Sequence, residues 1–237
     1  MQMRRLLILL ILLICLLVPS RGAGLAVNGE VEMPEPERLI ALTFDDGPRE
    51  STTGRLLDGL RERGASATFF VVGEEAEKNP ALIKRMIAEG HQVGNHTWSH
   101  VQLEKATPTV ALQEIMQTDA LLKELLGEGT YWLRPPYGLI GAGLEKKIQV
   151  PMVKWSVDPR DWESRNTQKV VQAVLKDAKP NSIILLHDIY PTSVNAALQI
   201  VDALQAKGYW FVTVEEMLRL NGITPEAGVL YRTGAGA

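Results

Sequence analysis

Two short stretches of this sequence gather side chains able to hold a metal ion and hydrolyse a polar bond. In Thr43-Phe44-Asp45-Asp46-Gly47-Pro48 an apolar run ends in two carboxylates and a turn. Neighbouring strand side chains face opposite ways, so both carboxylates can serve one site only if the chain bends there, and Gly47-Pro48 supplies the bend. Two ionised carboxylates held together repel, and a divalent cation is the ordinary relief. In Gly94-Asn95-His96-Thr97-Trp98-Ser99-His100 two histidines stand four apart and share a face if the segment makes a helical turn. With Asp46 they form a two-histidine, one-carboxylate set that leaves positions open for water and substrate, as a catalytic metal centre requires. Taken alone, the first stretch also reads as a solvated turn and the second as a surface coincidence. His91, at a strand start after Gly90, reads as structural.

Placing these groups in one site requires a scaffold, and the rest of the chain describes one. From Leu39 onward, short apolar runs alternate with segments whose apolar residues recur every three or four positions. The strand candidates are Leu39–Phe44, Ala67–Val72, His91–Asn95, Tyr131–Leu133, Pro151–Ser156, Ser182–His187 and Tyr209–Val212. Helix stops are marked by Gly64, Gly90, Gly127 and Gly208, and starts by Thr107-Pro108 and by Thr213 with Glu216 three positions later. Strands alternating with helices imply an α/β domain with a mainly parallel sheet covered by helices. Periodicity leaves open whether that sheet closes into a barrel. In such folds the loops after the strands share one rim. The polar clusters at Asp45–Asp46, His96–His100, Arg134–Tyr137, Asp158–Asp161 and His187–Asp188 all follow strand candidates, so they are expected on that rim. Asp158, before Pro159, reads as a turn residue.

Length and composition fit a single globular domain: 237 residues, 46% hydrophobic and 22% charged. A net charge of −3 with interspersed signs gives no broad basic face, which argues against a nucleic-acid partner. Arg4 and Arg5 precede an apolar run from Leu6 to Val18, which Pro19 and Ser20 end, and small residues beyond it offer cleavage after Ala23 or Ala26. This is the pattern of an export signal, cleaved or retained as an anchor, and it predicts a secreted or cell-surface location. The expected organisation is signal peptide or signal anchor over 1–26, linker over 27–38, catalytic domain over 39–220 and a C-terminal tail over 221–237. The single cysteine, Cys15, lies in the apolar run, so no disulfide is expected within the domain.

Five ordered motifs, TFDDGP at 43–48, GNHTWSH at 94–100, RPPYG at 134–138, DPRDW at 158–162 and LLHD at 185–188, make the chain resemble the NodB-homology polysaccharide deacetylases, carbohydrate esterase family four. The resemblance implies a distorted (β/α) barrel and hydrolysis of acetyl groups on sugars. It implies Asp45 as general base with Arg134 as its partner, and Asp46, His96 and His100 as ligands of one divalent cation. His187 becomes the general acid, paired with Asp161. The backbone N–H of Tyr137 becomes an oxyanion donor, and Trp162 and Leu185 line the pocket for the acetyl methyl. The implied cation is zinc, with cobalt, nickel and manganese compatible with the same ligands. Arg160 stands where it could alter substrate contacts. The expected substrate is an N-acetylglucosamine polymer, peptidoglycan first and chitin-like oligomers second, acted on by a monomer that meets a membrane only through an uncleaved anchor. The competing readings are an O-acetyl esterase, for example on acetylated xylan, and a catalytically silent carbohydrate-binding protein.

Overall fold

The computed structural model describes residues 26–27, 30–31, 38–141 and 143–237. The apolar run Leu6–Val18 and Cys15 lie outside the described residues. Across the boundary expected between signal segment and linker, strand β1 (Ala26–Val27) pairs antiparallel with β2 (Glu30–Val31). Among the described residues no helix is long and apolar enough to cross a membrane.

The domain is organised round β3 (Leu39–Asp45), whose seven residues are all buried. Parallel strands covered on both faces read as near-continuous apolar runs, and this one does apart from Thr43 and the terminal Asp45. Its side chains divide by parity. Ile40, Leu42 and Phe44 join the large cluster under the helices, while Leu39 and Ala41 face a second cluster containing Phe70, Trp132, Val153 and Ile183. On one edge β3 pairs with β7 (Ser182–His187); on the other it pairs with β4 (Thr68–Val71) and, at its start, with β8 (Trp210–Phe211). β4 in turn pairs with β5 (Gln92–Asn95), and all these pairings are parallel.

Beyond β5 the ladder thins to single bridges. Asn95 bridges Leu133, Leu133 bridges Met152 at the start of β6 (Met152–Val153), and Val157 bridges Ile184 of β7. These bridges extend the parallel arrangement from β5 toward β6 and tie Val157 back to β7. Of the Tyr131–Leu133 candidate only a bridge at Leu133 remains, since Pro135 and Pro136 just beyond it have no N–H to extend a ladder.

The tail expected over 221–237 is instead part of the domain. β9 (Leu230–Tyr231) pairs parallel with β6, and buried Tyr231 packs its ring 6.5 Å from that of Trp132. No strand pattern is legible here because the segment is short and its partner is distant in the chain.

Helices α1 (Glu50–Glu62), α2 (Gly73–Lys78), α3 (Pro80–Ala88), α4 (Pro108–Leu126), α5 (Asp161–Ser164), α6 (Thr167–Asp177), α7 (Pro191–Gln205) and α8 (Val214–Leu220) complete the domain. α1 packs between α3 and α7, and α7 against α6. Thr107 and Thr213 cap α4 and α8 as expected, each accepting a hydrogen bond from the N–H three residues on. Gly90 after α3 and Gly208 after α7 both take φ +82°, where a side chain would be strained.

Candidate active site

β3 delivers Asp45 to the rim while still in strand geometry, and the chain then turns sharply at Asp46, whose φ is +72°. That left-handed residue lets both carboxylates approach the same site. Gly47 is needed next to it, because a Cβ there would overlap the carboxyl of Asp188. Asp188, 1% exposed, accepts a hydrogen bond from the Thr53 hydroxyl, and its other oxygen has no protein partner. Burial pushes its carboxyl up to about 7, against the opposing pull of the Thr53 bond.

Asp45 is 3% exposed and bonded to Arg134, which is fully buried. Arg134 Nη1 donates to Asp45 Oδ1 at 2.7 Å and to Thr43 Oγ1 at 2.7 Å, and Nη2 donates to the Lys154 carbonyl at 2.9 Å. The guanidinium carbon lies 4.1 Å from the Phe70 ring centroid. Burial draws the Arg134 pKa below its ordinary value, and the charge of Asp45 opposes this. One carboxylate oxygen of Asp45 is thus tied down. The other, Oδ2, lies 3.6 Å from His96 Nε2 and faces the histidines.

His96 and His100 do meet, without the helical turn the spacing suggested. Thr97 and His100 both take left-handed φ, +67° and +59°, and the rings stand 5.0 Å apart. The turn is held by Asn95, whose Oδ1 accepts from the Thr97 N–H at 2.8 Å. His96 Nδ1 donates to the Arg134 carbonyl at 2.7 Å, which leaves the Nε2 lone pair pointing at the cluster. Burial and the neighbouring His96 hold His100 below the usual imidazole value, favouring its ligating neutral form.

The residues fit a divalent cation on three grounds. One ligand atom from each of Asp46, His96 and His100 lies within 4.8 Å of the others. Asp46 Oδ1 is buried without a protein hydrogen-bond partner. Its separations from His96 Nε2 and His100 Nε2 are 3.6 and 3.3 Å. Ligands about 2.1 Å from a tetrahedral centre stand roughly 3.4 Å apart, so the spacing suits such an ion.

Opposite this cluster, His187 ends β7 in register with Asp45. Asp161, the first residue of α5 and fully buried, accepts from His187 Nδ1 and from the His187 N–H, both at 2.8 Å. The Ser193 hydroxyl adds a third bond at 2.6 Å. Burial alone would depress the His187 pKa, but the hydrogen bond and charge of Asp161 outweigh it and raise the pKa to about 9. At neutral pH His187 is therefore a cation with a proton to give. Leu185, buried and two residues earlier on the same side of β7, pairs with Thr43 below the catalytic level.

Two of the remaining residues stand further out. Tyr137, at φ +60° and 58% exposed, sets its ring edge-on to His100 at 4.8 Å. Trp162 is 42% exposed under the Arg160 guanidinium, 5.3 Å away. Asp158 is the turn residue the sequence indicated, accepting from the Arg160 N–H at 2.9 Å. His91 is structural: it is buried, and its Nδ1 accepts from the Ala67 N–H at 3.1 Å. Sequence reasoning missed Thr43 and Ser193, which orient Arg134 and Asp161.

The family model for polysaccharide deacetylases matches residues 32–150. The peptidoglycan-N-acetylglucosamine deacetylase PgdA of Listeria monocytogenes is 39% identical over 188 residues, covering 79% of this chain; the chain spans only 40% of that protein's length. The solved structure of peptidoglycan deacetylase PdaC from Bacillus subtilis is 39% identical, covers 79% of this chain and 94% of its own, and superposes with a TM-score of 0.77. A family 4 acetyl xylan esterase from Clostridium thermocellum, solved with a cobalt ion, is 32% identical over 83% of this chain and 98% of its own, with a TM-score of 0.78. With this agreement in sequence and in fold, the chain belongs to the polysaccharide deacetylase family.

Proposed function

We propose that this protein is an exported, monomeric hydrolase that removes N-acetyl groups from N-acetylglucosamine units of peptidoglycan, using one zinc ion. The observation that carries the reading is the His187–Asp161 pair, held charged across the site from Asp45 and Arg134. An amide leaves as an amine and departs poorly unless protonated, whereas an ester's alcohol leaving group needs less help. A resident general acid is therefore worth more for amide than for ester hydrolysis.

Asp46, His96 and His100 would hold the cation, which supplies Lewis acidity toward the amide carbonyl and toward water. Asp45 Oδ2 takes the proton of the attacking water, while Arg134 fixes Oδ1 and balances the buried charge. His187, its Nδ1 anchored by Asp161, gives a proton to the sugar nitrogen as the carbon–nitrogen bond breaks. The N–H of Tyr137 binds the developing oxyanion; removing one such donor costs about 3–4 kcal/mol. Leu185 forms the floor for the acetyl methyl, and Trp162 borders the mouth of the site. The export-signal pattern at the N-terminus and the peptidoglycan deacetylases among the relatives support the choice of polymer.

Acetate release measured side by side from peptidoglycan, N-acetylglucosamine oligomers and acetylated xylan tests this reading. Faster release from the N-acetyl substrates agrees with it. Release from xylan alone would replace it with the esterase reading.

A further inference from the structure

The segment following the general acid, Ile189-Tyr190-Pro191, is ringed by arginines that the proposed reaction does not use. Arg165 lays its guanidinium over the Tyr190 ring at 3.6 Å, and that ring stands 6.3 Å from His187. Its cation is thus no more than about 10 Å from the general acid. Arg49 Nη1 donates to the Ile189 carbonyl and Arg55 Nη2 to the Pro191 carbonyl, both at 3.3 Å. Among the described residues none of these three side chains has a carboxylate partner, although all three are exposed.

Arg165 is the best prepared of them. Its Nε donates to the Trp162 carbonyl at 2.8 Å, and stacking on Tyr190 fixes the plane of the fork, which leaves the terminal nitrogens to solvent. Its backbone is left-handed, φ +46°, at the end of α5, a conformation a glycine or asparagine would take more easily. Arg160, at the other end of α5, differs in one decisive respect: it is already paired with a carboxylate, Glu163, at 2.8 Å. A planar guanidinium held flat with its outer edge open matches a carboxylate, which it can bind through two parallel bonds.

We propose that Arg165, seated on Tyr190 and backed by Arg49, is a specificity-determining contact for a carboxylate carried by the polymer next to the sugar being deacetylated. The inference rests on the deacetylase reading above and refines its substrate: a carboxylated glycan, such as one with the lactyl groups of muramic units, is preferred over neutral chitin-like oligomers. A peptide attached to the glycan offers the same chemistry.

The test is calorimetric binding by the zinc-loaded full chain. The probes are an N-acetylglucosamine tetramer, a peptide-free tetrasaccharide alternating N-acetylglucosamine with N-acetylmuramic acid, and the peptide-bearing form of that tetrasaccharide. The wild type is expected to bind a carboxylated saccharide about three- to tenfold more tightly than the neutral one, with the advantage shrinking as salt rises. Arg165→Gln should abolish that advantage and Arg165→Lys should restore part of it. A preference for the peptide-free saccharide assigns the lactyl group, and one confined to the peptide-bearing form assigns the peptide. Equal affinities in the wild type, or a preference that survives Arg165→Gln, would overturn the proposal. Acetate release from the same samples reports separately on the deacetylase reading, since binding preference does not depend on turnover.

Discussion

Asp45 and His187 are register partners on adjacent parallel strands, so one ladder sets the spacing between the proposed base and the proposed acid. Each is then fixed from outside that ladder, Asp45 by Arg134 and His187 by Asp161. The two side chains thus stand on neighbouring strand ends while residues from outside the sheet fix their orientation.

Asp45→Asn should retain the metal, because Asp46, His96 and His100 are untouched, while turnover falls by about 10²–10⁴-fold. His96→Ala should lose metal and turnover together. Metal content by emission spectroscopy beside acetate release separates the two, and an equal drop in metal for both variants would show that Asp45 is itself a ligand.

Arg134→Met leaves the Asp45 carboxylate buried without its cation, which should cost about 3–5 kcal/mol in denaturant unfolding. Adding Asp45→Asn should recover part of that loss, because the uncompensated charge is then gone. Additive losses in the double variant would mean the pair is not coupled.

The pH profile should carry the mark of Asp161. His187 must hold its proton to act as an acid, and its pKa is raised to about 9, so kcat/KM should fall on the alkaline side near pH 9. Asp161→Asn removes the strongest of the influences that raise the pKa and leaves only the charges of Asp45 and Asp46 against burial; the alkaline limb should therefore move to lower pH. A limb that stays in place would remove His187 from the role of acid.

His91 gives a stability signature. Burial draws its pKa from 6.5 down to about 4, so the unfolded chain takes up a proton between those values and the folded chain does not. Stability contributed by neutral His91 should be lost as pH falls from about 6.5 toward 4 and level off below, by on the order of 3 kcal/mol in all. The difference between wild type and His91→Gln in denaturant midpoints across that range isolates the effect; a flat difference would contradict it.

The site was legible where its residues are contiguous and follow apolar strands. Asp45-Asp46-Gly47, His96 with His100, and Leu185 to His187 each carry their chemistry within one short stretch. What escaped depends on contacts far apart in the chain. Ser193 reaches Asp161 across 32 residues, Thr43 meets Arg134 across 91, and Asp188 packs on Gly47 while bonding Thr53 across 135. The left-handed turn joining the two histidines also escaped, because Thr97 is not a residue type that announces φ above zero. The fold class followed from the alternation of strands and helices, but the single bridges beyond β5 and the docking of β9 are tertiary events that no local pattern encodes.

The central claim is metal-dependent removal of acetyl groups, and acetate release by the purified domain from peptidoglycan and from N-acetylglucosamine oligomers tests it most directly. Release should stop when a chelator strips the metal and return when zinc is added back. Release that persists in the stripped protein, or none from either substrate with zinc present, would contradict the account.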